Sequence, residues 1–490
     1  MYEVALAFAV VSFLLVCGYY WRSPAFSMFH PLTFYLAFHG LLFVVRPVIA
    51  WERGYTDIYR LYEFTPSLEV KTTAVYAATI GMLSFAFFCL RVGGKPMRFV
   101  VDEAIVEERR RLSQVFVWVL AICGPAAAYS LMKGYGPDAM QGMVRDAATG
   151  FAINTQGVGY VTDLQLMAVS LCSLVVWLSR FRLWSFVPIV AFITLRAGTG
   201  GRGPFVAAII SAGLFYLYEK RIRYPGLKVV LFALALFSVF VSVGQDRGAS
   251  IRQAMGMEEK ATFERDRGQD RFLESMDFGN LEFLEYIIDV VPEKSGTYDY
   301  FLDNFQLFTE PVPRIFWPGK PVGEPFRRIW LFEYGNPIGM TRSLPGEGWY
   351  AMGWLGVIIV CGIWGHVLGW IYSRFVSGSQ TTFKTACYLV FLPTLVVSLR
   401  DGGIVTIARQ TGVYLAPVFV WYWVAKYAGV PTAAQIRAVM ARTRTRLRPG
   451  GPEPEPAPRT PVVPAYLPAA VRRRRALLLR ERAAPSPTAE

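Results

Sequence analysis

Charged residues are scarce in this chain. Of its 490 residues only 18% are Asp, Glu, Lys or Arg, while 54% are hydrophobic. An ordinary soluble domain carries about 25% charged residues, so that class is excluded, as is a chain disordered throughout. Histidine is rarer still: His30, His39 and His366 are the whole set, and each falls within or beside an apolar stretch. The six cysteines (Cys17, Cys89, Cys123, Cys172, Cys361 and Cys387) show no CxxC or metal-like spacing. They read as small buried hydrophobes, with no disulfide expected. With no His/Cys/Asp cluster, neither a metal nor another cofactor is expected. Met1–Glu3 offers no basic run ahead of the first apolar block, so no cleavable signal peptide is expected. No internal repeat is visible.

What is present is apolar sequence in eleven blocks, about Tyr2–Tyr20, Pro31–Ala50, Thr72–Leu90, Leu112–Met132, Asp163–Ser179, Leu183–Leu195, Pro204–Tyr218, Leu227–Val243, Trp349–Tyr372, Phe383–Leu399 and Ile404–Tyr427. Many approach the roughly 20 residues that cross a hydrocarbon core. The expected fold is all-α: a polytopic membrane protein of about 11 transmembrane helices with one large external loop. Lys and Arg total 50 against 36 Asp and Glu, a net charge of +14. A basic chain can bind nucleic acid. Here much of the excess lies in short connections and the tail, as membrane topology requires, and no nucleic-acid partner is expected. Arg22, Arg91, Lys95, Arg98, Arg109 to Arg111, Arg180, Arg182, Lys220, Arg221, Arg223, Lys228, Arg374 and Lys384 all fall on one side under an eleven-span count. That side is expected to be the cytoplasm, which puts the N-terminus outside and the C-terminus inside. The block Leu183–Leu195 is short and reads equally as half of a re-entrant hairpin with Pro204–Tyr218.

Four regions follow: 1–244, N-terminal transmembrane helices; 245–348, a large external loop; 349–430, C-terminal transmembrane helices; and 431–490, an Arg-, Ala- and Pro-rich cytoplasmic tail. The tail's composition cannot build a core, and its arginines suit anionic lipid head groups. Within the loop, Glu258–Arg271 is densely charged. Phe278, Leu281, Leu284 and Ile288 recur at helical spacing, which predicts a helix lying along the membrane surface.

Three groups of cations fall on the side that topology disfavours. Arg196-Ala-Gly-Thr-Gly-Gly-Arg202-Gly-Pro204 joins two apolar blocks. Glycines let backbone N–H groups approach a ligand, and a helix start with a nearby Arg suits an anion such as a diphosphate. A tight helical hairpin with snorkelling arginines has the same signature. Arg400 and Asp401 precede two glycines, and Arg409 follows about two turns into the next apolar block. Ionisable groups at that depth usually face a polar cavity, although an Asp401–Arg409 ion pair joining two helices is the plainer alternative. Finally Arg314, Lys320, Arg327, Arg328 and Arg342 accompany Trp317, Trp330, Tyr334 and Trp349. Guanidinium forks bind phosphate or carboxylate, and aromatic faces stack on sugars. Such aromatics also form ordinary interfacial belts. Among the nearby acids (Asp246, Glu324, Glu347 and Asp401), Glu347 stands where the loop re-enters the membrane. It suits either a general base for an attacking hydroxyl or a complement to the helix start near Trp349.

The stretch Asp303-Asn-Phe…Pro311-Val-Pro-Arg314-Ile-Phe-Trp-Pro-Gly-Lys320-Pro321, then Ser343-Leu-Pro-Gly-Glu347-Gly-Trp-Tyr350-Ala-Met-Gly-Trp-Leu-Gly356, resembles Wzy-type O-antigen and oligosaccharide repeat-unit polymerases. The Gly198–Pro204 turn and the overall plan are similar too, but the basic tail has no counterpart. The resemblance implies a GT-C-like membrane glycosyltransferase that joins undecaprenyl-diphosphate-linked oligosaccharide repeat units on the outer face of the bacterial inner membrane. The transfer would be metal-independent and inverting. Membrane lipids, with the flippase and chain-length regulator of the same pathway, are the implied partners. Arg314, Lys320 and Glu347 match motif positions. The catalytic expectation is Glu347 as base with Arg202, Arg400 and Arg409 on the leaving diphosphate. The substrate-binding expectation is Arg196, Arg314, Lys320, Arg327, Arg328, Trp317 and Asp401. An O-antigen ligase-like transferase is the near alternative; such enzymes generally use a histidine in an external loop, which this chain lacks. A secondary transporter or flippase for an anionic lipid-linked substrate is the other, disfavoured by the absence of related halves.

Overall fold

A computed structural model describes residues 1–61, 63–133, 143–145, 152–154, 161, 163–198, 203–227, 231, 273–274, 278–312, 316–317, 319–320, 325–335 and 341–446. The chain divides into two compact units, Met1–Ala433 and Ala434–Glu490. The described part of the second unit is a helix running to Arg446.

Among the described residues of the first unit, seven helices are long and apolar enough to span a membrane. They are α1 (Tyr2–Arg22), α2 (Pro31–Arg53), α4 (Leu68–Gly93), α5 (Glu103–Lys133), α11 (Ser343–Ser377), α12 (Thr382–Asp401) and α13 (Ile404–Tyr427). The short α3 (Asp57–Leu61) follows α2. Three shorter apolar helices are α6 (Leu164–Leu178), α7 (Val187–Gly198) and α8 (Gly203–Glu219). Every predicted apolar block except Leu227–Val243, which lies largely outside the described residues, corresponds to one of these helices. Among the described residues between α8 and α11 are two non-spanning helices, α9 (Asn280–Val290) and α10 (Gln306–Thr309). The strands β1 (Met143–Arg145) and β2 (Ala152–Asn154) pair antiparallel, Val144 opposite Ile153. Apart from this short strand pair, the described fold is helical and polytopic, as the hydropathy pattern predicted.

Helix starts follow side-chain chemistry. Ser67 Oγ accepts the Val70 N–H at 3.1 Å ahead of α4, and Thr381 Oγ1 accepts the Lys384 N–H at 3.2 Å ahead of α12, in the manner of N-caps. Before α2, His30 Nδ1 accepts the Leu32 N–H at 3.1 Å, with Pro31 in the first turn. The central packing is α11 along α4. Gly362, Gly365 and Gly369 recur on one stripe of α11, and Cβ atoms built at the latter two would meet the Phe85 and Cys89 carbonyl oxygens. Within a membrane, where lipid tails are as apolar as Leu, close backbone approach at small residues is a main source of helix association.

The connections sort into two ends. At one, Arg223 donates to the Met97 carbonyl at 2.8 Å, Lys95 to Ser377 at 2.9 Å, and Arg109 pairs with Glu219 through both carboxylate oxygens. Arg223, Lys95 and Arg109, three of the cations that the charge rule assigned to one side, thus meet at one end. At the opposite end lie the start of α1, the end of α2, α9 and the start of α11.

The structure differs from the sequence expectation at α9. Rather than lying along a surface, it is buried along its whole length except for half-buried Asp289, packed against α4 and α11. Its polar side chains each meet a partner inside the protein. Asn280 reaches Thr341 and the Arg400 carbonyl, Glu282 pairs with Arg46, and Glu285 accepts the Tyr59 hydroxyl at 2.7 Å. A face that reads as water-exposed is therefore a face of buried partners.

Candidate functional site

The α11 helix begins at Ser343, six residues before Trp349, so Glu347 stands in its second turn rather than ahead of it. The helix is interrupted at Met352 and Gly353, the latter with φ +59°. The turn between α12 and α13 carries Arg400, Asp401, Gly402 and Gly403. Gly402 adopts φ +82°, and a Cβ there would fall on the Ser343 backbone. Glycine is therefore what allows this turn to lie against the start of α11. Asn280 of α9 holds both segments, donating to Thr341 Oγ1 at 3.1 Å and to the Arg400 carbonyl at 3.1 Å.

At this junction Arg342 is the central cation. It forms ion pairs with Asp303 and with Glu347, the latter at 3.0 Å, and its guanidinium lies 4.0 Å from the centre of the Tyr350 ring. The two carboxylate side chains are only 10% exposed. Glu347 Oε2 takes the arginine, while Oε1 faces Gly403, 3.9 Å from where its Cβ would be. Behind them the Asp303 N–H donates to Asp299 Oδ2 at 3.1 Å. Burial, then the Asp303 charge, pushes Asp299 up to about 7, so this acid gains a proton near neutrality.

A second polar cluster lies along α13. Arg409 pairs with Asp163 at 3.2 Å and with Glu310 at 3.5 Å, and its side chain is 39% exposed. Lys320 joins Glu310 at 3.7 Å and donates to the Glu310 and Val312 carbonyls. Arg196 donates to Gln165 Oε1 at 2.6 Å, two positions from Asp163. Asp163 is raised by burial, with Arg409 and Arg196 opposing the rise. The segment 299–312 reaches both clusters, carrying Asp303 to Arg342 and Glu310 to Arg409.

The structure thus brings Glu347 beside the Arg400–Gly403 turn, and gathers Arg409, Lys320 and Arg196 in a separate cluster. Arg409 pairs with Asp163 and Glu310, not in the Asp401 link considered from sequence; Asp401 is half-buried at the end of α12. Arg327 lies 4.3 Å from the Trp330 ring centre, and Arg328 lies 5.6 Å from that of Tyr300, the residue after Asp299. Trp317 is partly exposed at 39%. Arg202, Arg314, Asp246 and Glu324 lie outside the described residues. Sequence reasoning noted Arg342 without selecting it, and passed over Asp299 and Asp163. It also missed Arg46, which pairs with Glu282; an arginine inside the block Pro31–Ala50 was itself the signal. Among the described residues, no group of three or more His, Cys, Asp or Glu side chains is arranged to hold a metal ion.

Fold and site together define a helical, multi-pass membrane protein whose interlocked arginines and carboxylates line one end. A model of the O-antigen polysaccharide polymerase Wzy family matches residues 1–409, and the chain belongs to this family. It is therefore a polysaccharide polymerase at the family level, with lipid-linked oligosaccharide repeat units as its general substrate. Comparison with curated proteins and with solved structures returned no match.

Proposed function

We propose that this chain joins undecaprenyl-diphosphate-linked repeat units on the outer face of the bacterial inner membrane by a single inverting displacement that needs no metal. The acceptor hydroxyl oxygen attacks the anomeric carbon, the bond from that carbon to the diphosphate oxygen breaks, and the hydroxyl proton passes to Glu347 Oε1. Arg342 holds the other oxygen of this carboxylate, which orients it. Cations in a partly dehydrated cleft neutralise the departing diphosphate more strongly than in water. Arg400, Arg409, Arg202, Arg196 and Lys320 are the candidates, and Arg314, Arg327, Arg328, Trp317 and Asp401 extend the surface toward the glycan. The external loop, the N-terminus and this end of the helices all face the periplasm in this reading, and the basic tail faces the cytoplasm.

The observation that carries the proposal is the Asp303–Arg342–Glu347 network seated against the Arg400–Gly403 turn. The test is an in-frame deletion complemented with single variants, with lipid-linked sugars and polymer separated on gels. Glu347→Gln is expected to accumulate single repeat units at normal membrane abundance. A full-length ladder from Glu347→Gln would remove it as the base. Full polymer from Arg202→Ala, Arg400→Ala and Arg409→Ala alike would remove the diphosphate clamp. Polymerisation in isolated membranes is expected to persist in EDTA.

A further inference from the structure

The α9 helix has two working faces. Its 3.6-residue period places Asn280 and Ile287 on one side and Glu282 and Glu285 on the other. The first side meets the junction described above: Asn280 reaches the Arg400 carbonyl, and Ile287 packs against Gly346. The second side lines a cavity of about 530 Å3, bounded by the start of α1, the end of α2, α3 and the start of α4. This volume lies within the roughly 300–1,000 Å3 of small-molecule sites.

The lining is of a particular kind. Tyr2, Trp51, Tyr55 and Tyr59 supply aromatic surface, with the Tyr2 and Trp51 ring centres 4.9 Å apart. Behind them sit two carboxylates. Glu282 is 4% exposed; its Oε1 is held by Arg46, and its Oε2 is buried without a hydrogen-bond partner. Glu285 accepts the Tyr59 hydroxyl, and Lys71 lies 4.5 Å from the centre of the same ring. A sugar ring presents a C–H face that stacks on aromatics and a rim of hydroxyls that donate to carboxylates. The lining also carries Arg60 and Lys71, but three carboxylates (Glu63, Glu282 and Glu285) outnumber them, so a phosphate is better served by the arginines on the far side of α9. An acyl chain would leave the polar groups unpaired.

We propose that this cavity is a carbohydrate-binding site, distinct from the Arg342–Glu347 junction, that holds a short run of sugar rings of the repeat unit or growing polymer. The inference rests on the proposed function for the origin of the glycan, but not on which groups perform the transfer. Occupancy would retain the polymer between successive additions, so the site acts on chain length.

The test uses the full-length chain in nanodiscs. The probe is oligosaccharide released by partial acid hydrolysis of the producing cell's own surface polysaccharide, free of lipid and diphosphate, and binding is followed by saturation-transfer NMR. Saturable binding is expected, at least tenfold weaker in Trp51→Ala and Tyr55→Ala. In cells, Trp51→Ala is expected to shorten the polymer ladder while still joining repeats. Trp51 is 41% exposed at the cavity edge, so its removal leaves the core in place. If Tyr55→Ala fails to fold, Tyr55→Phe and Trp51→Ala carry the test. Absence of saturable binding to the wild type, equal binding by Trp51→Ala, or an unchanged ladder would overturn the proposal. A full ladder from Glu347→Gln would instead defeat the proposed chemistry and leave the binding result standing.

Discussion

Replacing Arg342 with alanine is the sharpest probe of the junction. Its guanidinium is the shared partner of Asp303 and Glu347, with side-chain exposures of 21%, 10% and 10%. Removing one partner of a buried pair costs about 3–5 kcal/mol, because it leaves an uncompensated charge. Here two carboxylates are left, but the arginine is one-fifth open to solvent, which argues for the lower end, about 3 kcal/mol. That is about a hundredfold in the folded-to-unfolded ratio. Arg342→Lys keeps the charge but loses the planar fork that holds two acids at once; it should fall between, with a loss of about 1–2 kcal/mol. The assay is SDS-induced unfolding of the purified protein, read beside the polymer ladder in cells. Asp303→Asn combined with Arg342→Ala should recover part of the loss, since one orphaned charge is gone, but should not restore polymer. An unfolding midpoint for Arg342→Ala equal to the wild type would refute the energetic reasoning. So would strictly additive losses for the Asp303 and Arg342 changes.

Other outcomes follow from the same structure. Burial and the neighbouring Glu282 charge push Glu285 up to about 8 from the usual 4.5, against the Tyr59 hydrogen bond and the charges of Lys71 and Arg46. The folded state therefore binds more protons than the unfolded one between those values, and stability should fall as pH rises through that window. Glu285→Gln should flatten the slope of thermal midpoints between pH 5 and pH 9, leaving the smaller slope of the same sign from Asp299; an unaltered slope would count against this. Arg46→Met should cost about 3–5 kcal/mol by isolating Glu282, and Glu282→Leu added to it should restore most of that; unfolding midpoints of the single and double variants decide it. Gly365→Ala should separate α11 from α4 at the Phe85 carbonyl, lowering the unfolding midpoint by about 1–3 kcal/mol, and a neutral result would mean that the stripe is not a tight contact.

Arg400 and Arg409 illustrate where sequence reading stopped. Nine positions apart, they invite assignment to one clamp. The backbone of Arg400 is tied by Asn280 to the α11 start, while the Arg409 side chain engages Asp163 and Glu310. Two clusters, bridged by the segment from Asp299 to Val312, replace the single rim suggested by the residue types.

The spans, the gathering of basic connections at one end and the Glu347 motif were legible in the residues themselves, because hydrophobic length, charge asymmetry and short motifs are local properties of a chain. Partnership across the fold was not. Arg46 and Glu282 stand 236 positions apart, and Asp303 and Arg342 stand 39 apart; no periodicity links them. Tertiary packing alone decided that α9 is buried with both faces engaged. Whether a polar face meets water or a buried partner depends on what the rest of the chain brings against it.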